Sequence, residues 1–183
     1  MSSMIEEVSI RGLEADDVVA FQEVRLYALQ ESPTAFGSSH HEERDRPAEA
    51  VRALISGSKE RVFFGAFHQS SLVGIVGVER EQRAKQRHAA FVRSMFVVPE
   101  YRGLGIGKQL LDAAIQRARG WTGVEQVTLA VTAGNDAAVR LYRALGFEVV
   151  GRMPRALQIG GAYFDELAMI CLIDQPALGA EDV

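Results

Sequence analysis

Cysteine is nearly missing from this chain of 183 residues: Cys171 is the only one. A lone thiol rules out an internal disulfide framework. Its place in the apolar run at 167–173 reads as core packing rather than nucleophilic chemistry, a usage that fits a reducing cytoplasm. Long hydrophobic runs are missing too, so no segment reads as a bilayer span. The first ten residues carry Glu6 and Glu7, not the basic-then-apolar layout of a secretory signal. Positive charge is not in excess. Lys and Arg number 20 against 24 Asp and Glu, for a net charge of −4, which leaves no nucleic-acid footprint. The four histidines, with His40 and His41 adjacent, have no metal-ligand spacing. Repeats, long linkers and low-complexity blocks are lacking as well. What is present is 48% apolar and 24% charged, ordinary for a globular chain with enough length for a proper core. The expectation is one domain over residues 1–175 with a short tail at 176–183.

Periodicity divides the chain into short elements. Val8 and Ile10 alternate with polar neighbours as a first strand. Asp16 or Asp17 can cap a helix running to about Leu29, which Ser32-Pro33 stops. Residues 35–43 read as a loop or short turn. Pro47 suits the first turn of a second helix, ended by Gly57. Strands are predicted at 61–67, 72–78 and 89–98, with a turn at 68–71 and a solvated charged connection at 79–87. A helix follows at 108–119, closed by Gly120, then a strand at 125–131. Next come a helix from Asn135 or Asp136 to Gly146, a short strand at 147–150, and a last strand at 164–173 after the Gly160-Gly161 turn. The order is β, two helices, three strands, α, β, α, two strands, which is a mixed α+β sheet rather than a repeating βαβ fold.

The junction between the 89–98 strand and the next helix holds the most chemistry. It reads Arg102-Gly103-Leu104-Gly105-Ile106-Gly107-Lys108. The first N–H groups of a helix have no intrahelical partner, and the helix dipole adds positive charge at the same end. Glycines let a ligand approach the main chain, so the segment suits a phosphate. Arg102 and Lys108 add full charge at its two ends. A dinucleotide turn would need glycine at position 108, and a P-loop would need glycine at 102 and Ser or Thr at 109. Neither pattern is met.

What remains, R-x-x-G-x-G after a strand and Pro99, resembles the acyl-CoA pyrophosphate loop of the GNAT family of N-acetyltransferases. Three further stretches match that family in order and at suitable spacing. They are Met95-Phe96-Val97-Val98-Pro99-Glu100-Tyr101, then Val131-Thr132-Ala133-Gly134-Asn135, and Ala137-Ala138-Val139-Arg140-Leu141-Tyr142-Arg143-Ala144-Leu145-Gly146-Phe147. The resemblance implies a mostly antiparallel central sheet of about seven strands flanked by four helices, whose neighbouring strands splay to admit a thioester. It implies acetyl-CoA as donor and the primary amine of a small molecule or peptide as acceptor, with no metal. It also implies a possible homodimer. On this reading the main chain of Phe96 and Val97 holds the pantetheine arm. The segment containing Gly103, Leu104, Gly105, Ile106, Gly107 and Lys108 takes the pyrophosphate. Asn135 binds pantetheine while also capping its helix, Arg143 faces the nucleotide, and Tyr142 protonates the departing thiolate.

An alkylammonium must lose a proton before it can attack. Some relatives use a glutamate at the position held here by Ala130. Other carboxylates are Glu79, Asp165 and Glu166, and Glu79 at the end of its strand ranks first as base, with a water chain as the alternative. A backbone N–H near Val97 would hold the oxyanion. Tyr27, Phe36, Tyr163 and Phe164 are expected around the acceptor, where acidic side chains would suit a cationic amine. A non-catalytic acyl-CoA sensor on the same fold is the alternative reading.

Overall fold

A computed structural model describes residues 8–173. The expected tail at 176–183 lies outside them. Seven strands form one sheet: β1 (Val8–Gly12), β2 (Arg61–His68), β3 (Ser71–Arg80), β4 (Ala89–Val97), β5 (Gln126–Thr132), β6 (Glu148–Ile159) and β7 (Ala162–Leu172). Their order across the sheet is β1-β2-β3-β4-β5-β7-β6. The β4–β5 pair is parallel and the others are antiparallel. This is the mixed, mostly antiparallel sheet that the sequence predicts.

Helices cover both faces. On one side lie α1 (Val18–Glu31), the single turn α2 (His40–Glu43) and α3 (Ala48–Ile55). Phe21, Val24, Ala28 and Leu29 of α1 and Val51 and Ile55 of α3 pack there on Phe63, Phe67, Ile75 and Phe96 of the sheet. On the other side lie α4 (Ile106–Arg119) and α5 (Asp136–Ala144). Leu110, Leu111, Ala114, Ile115 and Ala118 form the buried stripe of α4, at the i, i+1, i+4, i+5, i+8 spacing of one helical face. That stripe meets Val76, Val78, Ala90 and Val127.

Three local expectations are sharpened. Asp17 stands at the N-cap position of α1, which begins at Val18 after a 3-10 turn at Ala15–Asp17, but its side chain makes no cap bond to the helix. Asp17 turns back instead: its carboxylate accepts from the Glu14 N–H at 2.8 Å and from Arg11 at 2.7 and 2.8 Å. The segment expected as a loop or short turn at 35–43 contains the single helical turn α2, where Ser39 and Glu42 cap one another reciprocally. The strand expected at 147–150 extends to Ile159 as β6. Gly151, Pro154 and the positive-φ Arg155 disguise it, because an edge strand tolerates such residues where a central one does not. Its pairing with β7 is irregular between Met153 and Leu157.

Candidate functional site

The parallel β4–β5 ladder is short: Ala89, Ala90 and Phe91 face Gln126, Val127 and Thr128, and the register ends there. Beyond Phe91, β4 runs on for six residues without a partner on β5. The cause is visible on the other edge of β4. Its register against β3 jumps from Ile75↔Phe96 to Gly77↔Arg93, which leaves an extra residue in β4, and Ser94 takes φ +56°. A bulge bends its strand and increases the local twist, so β4 swings away from β5. A cavity of about 930 Å³ opens in the gap.

One half of the cavity is main chain and glycine. Phe96, Val97, Arg102, Gly103, Gly105, Ile106, Gly107 and Lys108 line it, with Asn135 and Tyr142 from α5 and the turn before it. Gly103 and Gly105 hold φ of +77° and +78°, a left-handed backbone that L side chains rarely adopt. A Cβ on either would meet nothing within 4 Å, so the space before them is open. Gly107 has a different reason to be glycine. A Cβ there would come within 3.2 Å of Leu141 Cδ2 on α5 and 3.3 Å of Met95 Cε on β4.

Arg102 lines the cavity and makes a further contact outside it. Its Nε donates to the Val97 carbonyl at 2.9 Å, and its two terminal nitrogens hold Glu31 at 3.1 and 2.9 Å. It thus straps the loop to the end of α1. The Glu31 carboxyl lies below its ordinary range because Arg102, then Ser32, donates to it. Asn135 caps α5, its Oδ1 accepting from the Ala138 N–H at 3.2 Å, and it also lines the cavity. Tyr142 is 7% exposed and its ring lies 6.0 Å from that of Phe147. Burial pushes its phenol up to about 12. Leu104 and Arg143 do not line this cavity. Arg143 sits by a separate shallow depression with Gly146, Phe147 and Glu148.

The other half is side chain and charge. Phe21, Phe36, Leu54 and Phe63 form its apolar wall, and Arg25, Arg46 and Arg93 enter among them. Arg25, 8% exposed, grips Glu43 with Nε at 3.0 Å and Nη2 at 2.8 Å. Arg46 approaches the same carboxylate at 3.7 Å. Burial pushes the Glu43 carboxyl up, but Arg25 with help from Ser38 and Arg46 more than offsets this, and the net shift is downward. Arg93 lies 3.2 Å from Glu79. Burial lowers its guanidinium pKa; nearby Arg61, Arg25 and Arg46 lower it too, against the pull of Glu79.

Of the aromatics expected around the acceptor, Phe36 is in the wall; Tyr27, Tyr163 and Phe164 are not. Tyr163 is 49% exposed and stacks under Arg155. Glu79, ranked first as base, does not line the cavity either; its carboxylate is turned to Arg93. Asp165 is occupied by Arg152 and the Arg155 N–H. Glu166 does line the cavity, from β7 opposite Thr132. Sequence reading missed the arginines altogether, because Arg25, Arg46 and Arg93 come from three separate elements with no shared motif.

The sequence profile described as Acetyltransferase (GNAT) family matches residues 24–147, more than half of the chain. The chain belongs to this family. Its relatives include the L-methionine sulfoximine/L-methionine sulfone acetyltransferase of Pseudomonas paraeruginosa, 43% identical over 72 residues. That match takes in 39% of this chain and only 41% of that relative's length. The N-alpha-acetyltransferase RimI of Mycobacterium tuberculosis is 40% identical over 116 residues, 63% of this chain and 69% of its own. Among solved structures, yncA of Salmonella typhimurium with its cofactor acetyl-CoA superposes with a TM-score of 0.81 at 22% identity, covering 96% of this chain and 98% of that one. The GNAT fold of this chain is therefore seen in both sequence and architecture.

Proposed function

We propose that this protein is an acetyl-CoA-dependent N-acetyltransferase that passes the acetyl group directly to a primary amine within a ternary complex. One observation carries the reading. The gap between β4 and β5 leads from the left-handed glycines at 103 and 105 past Tyr142 into a second, charged compartment, so one 930 Å³ cavity can hold donor and acceptor together.

In this mechanism the pantetheine arm lies along the unpaired stretch of β4 in a strand-like way. The pyrophosphate meets the amides at the start of α4 and Lys108, and the free amide nitrogen of Asn135 faces the arm. The amine attacks the thioester carbonyl, forming the C–N bond, and an N–H of β4 near Val97 holds the oxyanion. Collapse breaks the C–S bond. Sulfur leaves as it takes the proton of Tyr142, which buried at a pKa of about 12 stays protonated at neutral pH. The nitrogen gives up its proton to Glu166, the carboxylate that faces the cavity, directly or through water. Glu79 acts on this site through Arg93.

The test is thiol release from acetyl-CoA against a panel of amines, amino acids and peptides, with CoA binding measured on the same sample. Amine-dependent release supports the reading. CoA binding with no release by any acceptor would support an acyl-CoA sensor instead, and absence of CoA binding would overturn both.

A further inference from the structure

The acceptor half of the cavity holds a feature that the transfer chemistry does not use. Arg25 is nine-tenths buried, yet its Nη1 has no hydrogen-bond partner among the described residues. A buried guanidinium N–H without an acceptor is costly, and native structures seldom leave one. Glu43 meets the guanidinium side-on, through Nε and Nη2, which leaves Nη1 on the side away from that carboxylate. Arg46 and Arg93 enter the same compartment, so three arginines share two carboxylates, Glu43 and Glu79. The second carboxylate that lines the cavity with Glu43 is Glu166, which comes from β7, beyond β5. Charge in the cavity is therefore divided: arginines gather on the side of α1 and α3, and a carboxylate stands on the side of β7.

Resting on the transferase reading above, we propose that the acceptor is an amine bearing a carboxylate close to its amino group, as a free α-amino acid does, and that Arg25, flanked by Arg46 and Arg93, binds that carboxylate. Arg25 Nη1, closed to solvent among the described residues, becomes a donor to that carboxylate through a small turn of the guanidinium into the compartment that Arg25 lines. Arg46 and Arg93, whose side chains are 37% and 39% exposed, supply two more that can turn toward the ligand. The amino end then faces Glu166 and the thioester, which matches the divided charge of the cavity. Phe21, Phe36, Leu54 and Phe63 leave an apolar wall, so the side chain beside that amine is apolar. A carboxylate held by a guanidinium in a desolvated site also gives selectivity, because an analogue lacking it leaves the arginine unpaired.

The experiment measures kcat/KM by thiol release at saturating acetyl-CoA. Each acceptor is offered in matched forms: the free amino acid, its α-amide, and the decarboxylated amine, together with peptides carrying an acidic second residue. Free apolar amino acids are expected to exceed their amides by about 10- to 100-fold, the loss of one or two hydrogen bonds to a charged group. Arg93→Gln and Arg46→Gln, on the more exposed side chains, should each shrink that ratio by lowering the rate on the free acids more than the rate on the amides. Arg25→Lys should abolish the ratio, and a circular dichroism spectrum checks that this buried variant folds. Amides or decarboxylated amines acetylated as well as the acids would overturn the proposal while leaving the transferase reading intact. So would a preference untouched by the three substitutions. An acidic peptide that surpasses every free amino acid would overturn the free amino acid as source but keep the arginines as the carboxylate site. No release with any amine would sink the transferase reading, and this one with it.

Discussion

The two halves of the cavity are built from different materials. The half we assign to the donor is main chain: a stretch of β4 without a partner on β5, two glycines at φ near +78°, and the first amides of α4. The acceptor half is side chain: Arg25, Arg46 and Arg93 against Glu43 and Glu79, in a wall of phenylalanine and leucine. Main-chain donors are fixed by backbone geometry and can serve any pyrophosphate. Charged side chains are fixed by one another, so they can be exchanged without disturbing the sheet. The difference teaches where such a fold keeps its constant chemistry and where it keeps its choice of substrate.

Breaking the acceptor half at its buried pair should have the largest effect. Glu43→Gln leaves the Arg25 guanidinium buried without its counter-charge and is expected to cost about 3–5 kcal/mol of stability. Urea unfolding would read this out, and a change below about 1 kcal/mol would mean that the pair is not sealed from water. Tyr142→Phe should lower kcat by about 100-fold, the lower end for a positioned general acid, with the KM for acetyl-CoA nearly unchanged. Equal turnover would remove Tyr142 as the acid. The wild-type rate should also show no loss of the acid form below pH 10, since burial holds the phenol at about 12. On the donor half, Gly105→Val forces a β-branched residue into a left-handed backbone. The strain of about 1–3 kcal/mol should weaken CoA binding about 10- to 100-fold by calorimetry. Unchanged affinity in a folded variant would mean that the loop does not hold the cofactor.

These contrasts also explain what the sequence made legible. The donor half is local in the chain: glycines, strand exit and helix start lie between Met95 and Lys108, and the Asn135-to-Phe147 stretch is equally continuous. The spacing of such residues is itself the signal. The order of elements along the chain followed from periodicity for the same reason, apart from the length of β6, whose exposed residues carry no apolar alternation. Arg25, Arg46 and Arg93 carry no comparable signal. In sequence each is one arginine among ordinary surface charges, and the compartment exists because α1, the segment after α2 and β4 fold together. Arg102 shows the limit from the other side. Its position beside the glycines, where it lines the cavity, is legible, but its ion pair with a glutamate 71 residues away is not.

The base assignment is the next smaller test. Glu166→Gln should flatten the rise of kcat/KM with pH, while Glu79→Gln should keep that rise and change only its height, because Glu79 reaches the site through Arg93. The reverse pattern would return the role to Glu79.

The smallest effect is expected where the halves are joined. Glu31 ends α1 on the acceptor side, and Arg102 begins the loop on the donor side. Their side chains are 26% and 45% exposed, so solvent screens the pair and Glu31→Gln should cost only about 0.2–1 kcal/mol at pH 7. The sign of its pH dependence is fixed. Arg102 lowers the folded-state pKa of Glu31, so the ion pair stabilises the fold above the unfolded-state value, near 4.3, and that contribution fades as pH falls through the folded-state value. Thermal unfolding of the wild type and Glu31→Gln should therefore converge on acidification. CoA affinity reads the coupling separately. If releasing the Arg102 fork leaves CoA binding unchanged, the strap serves the fold alone; if affinity moves, the α1 end of the acceptor side sets the shape of the donor loop, and the two halves are not independent.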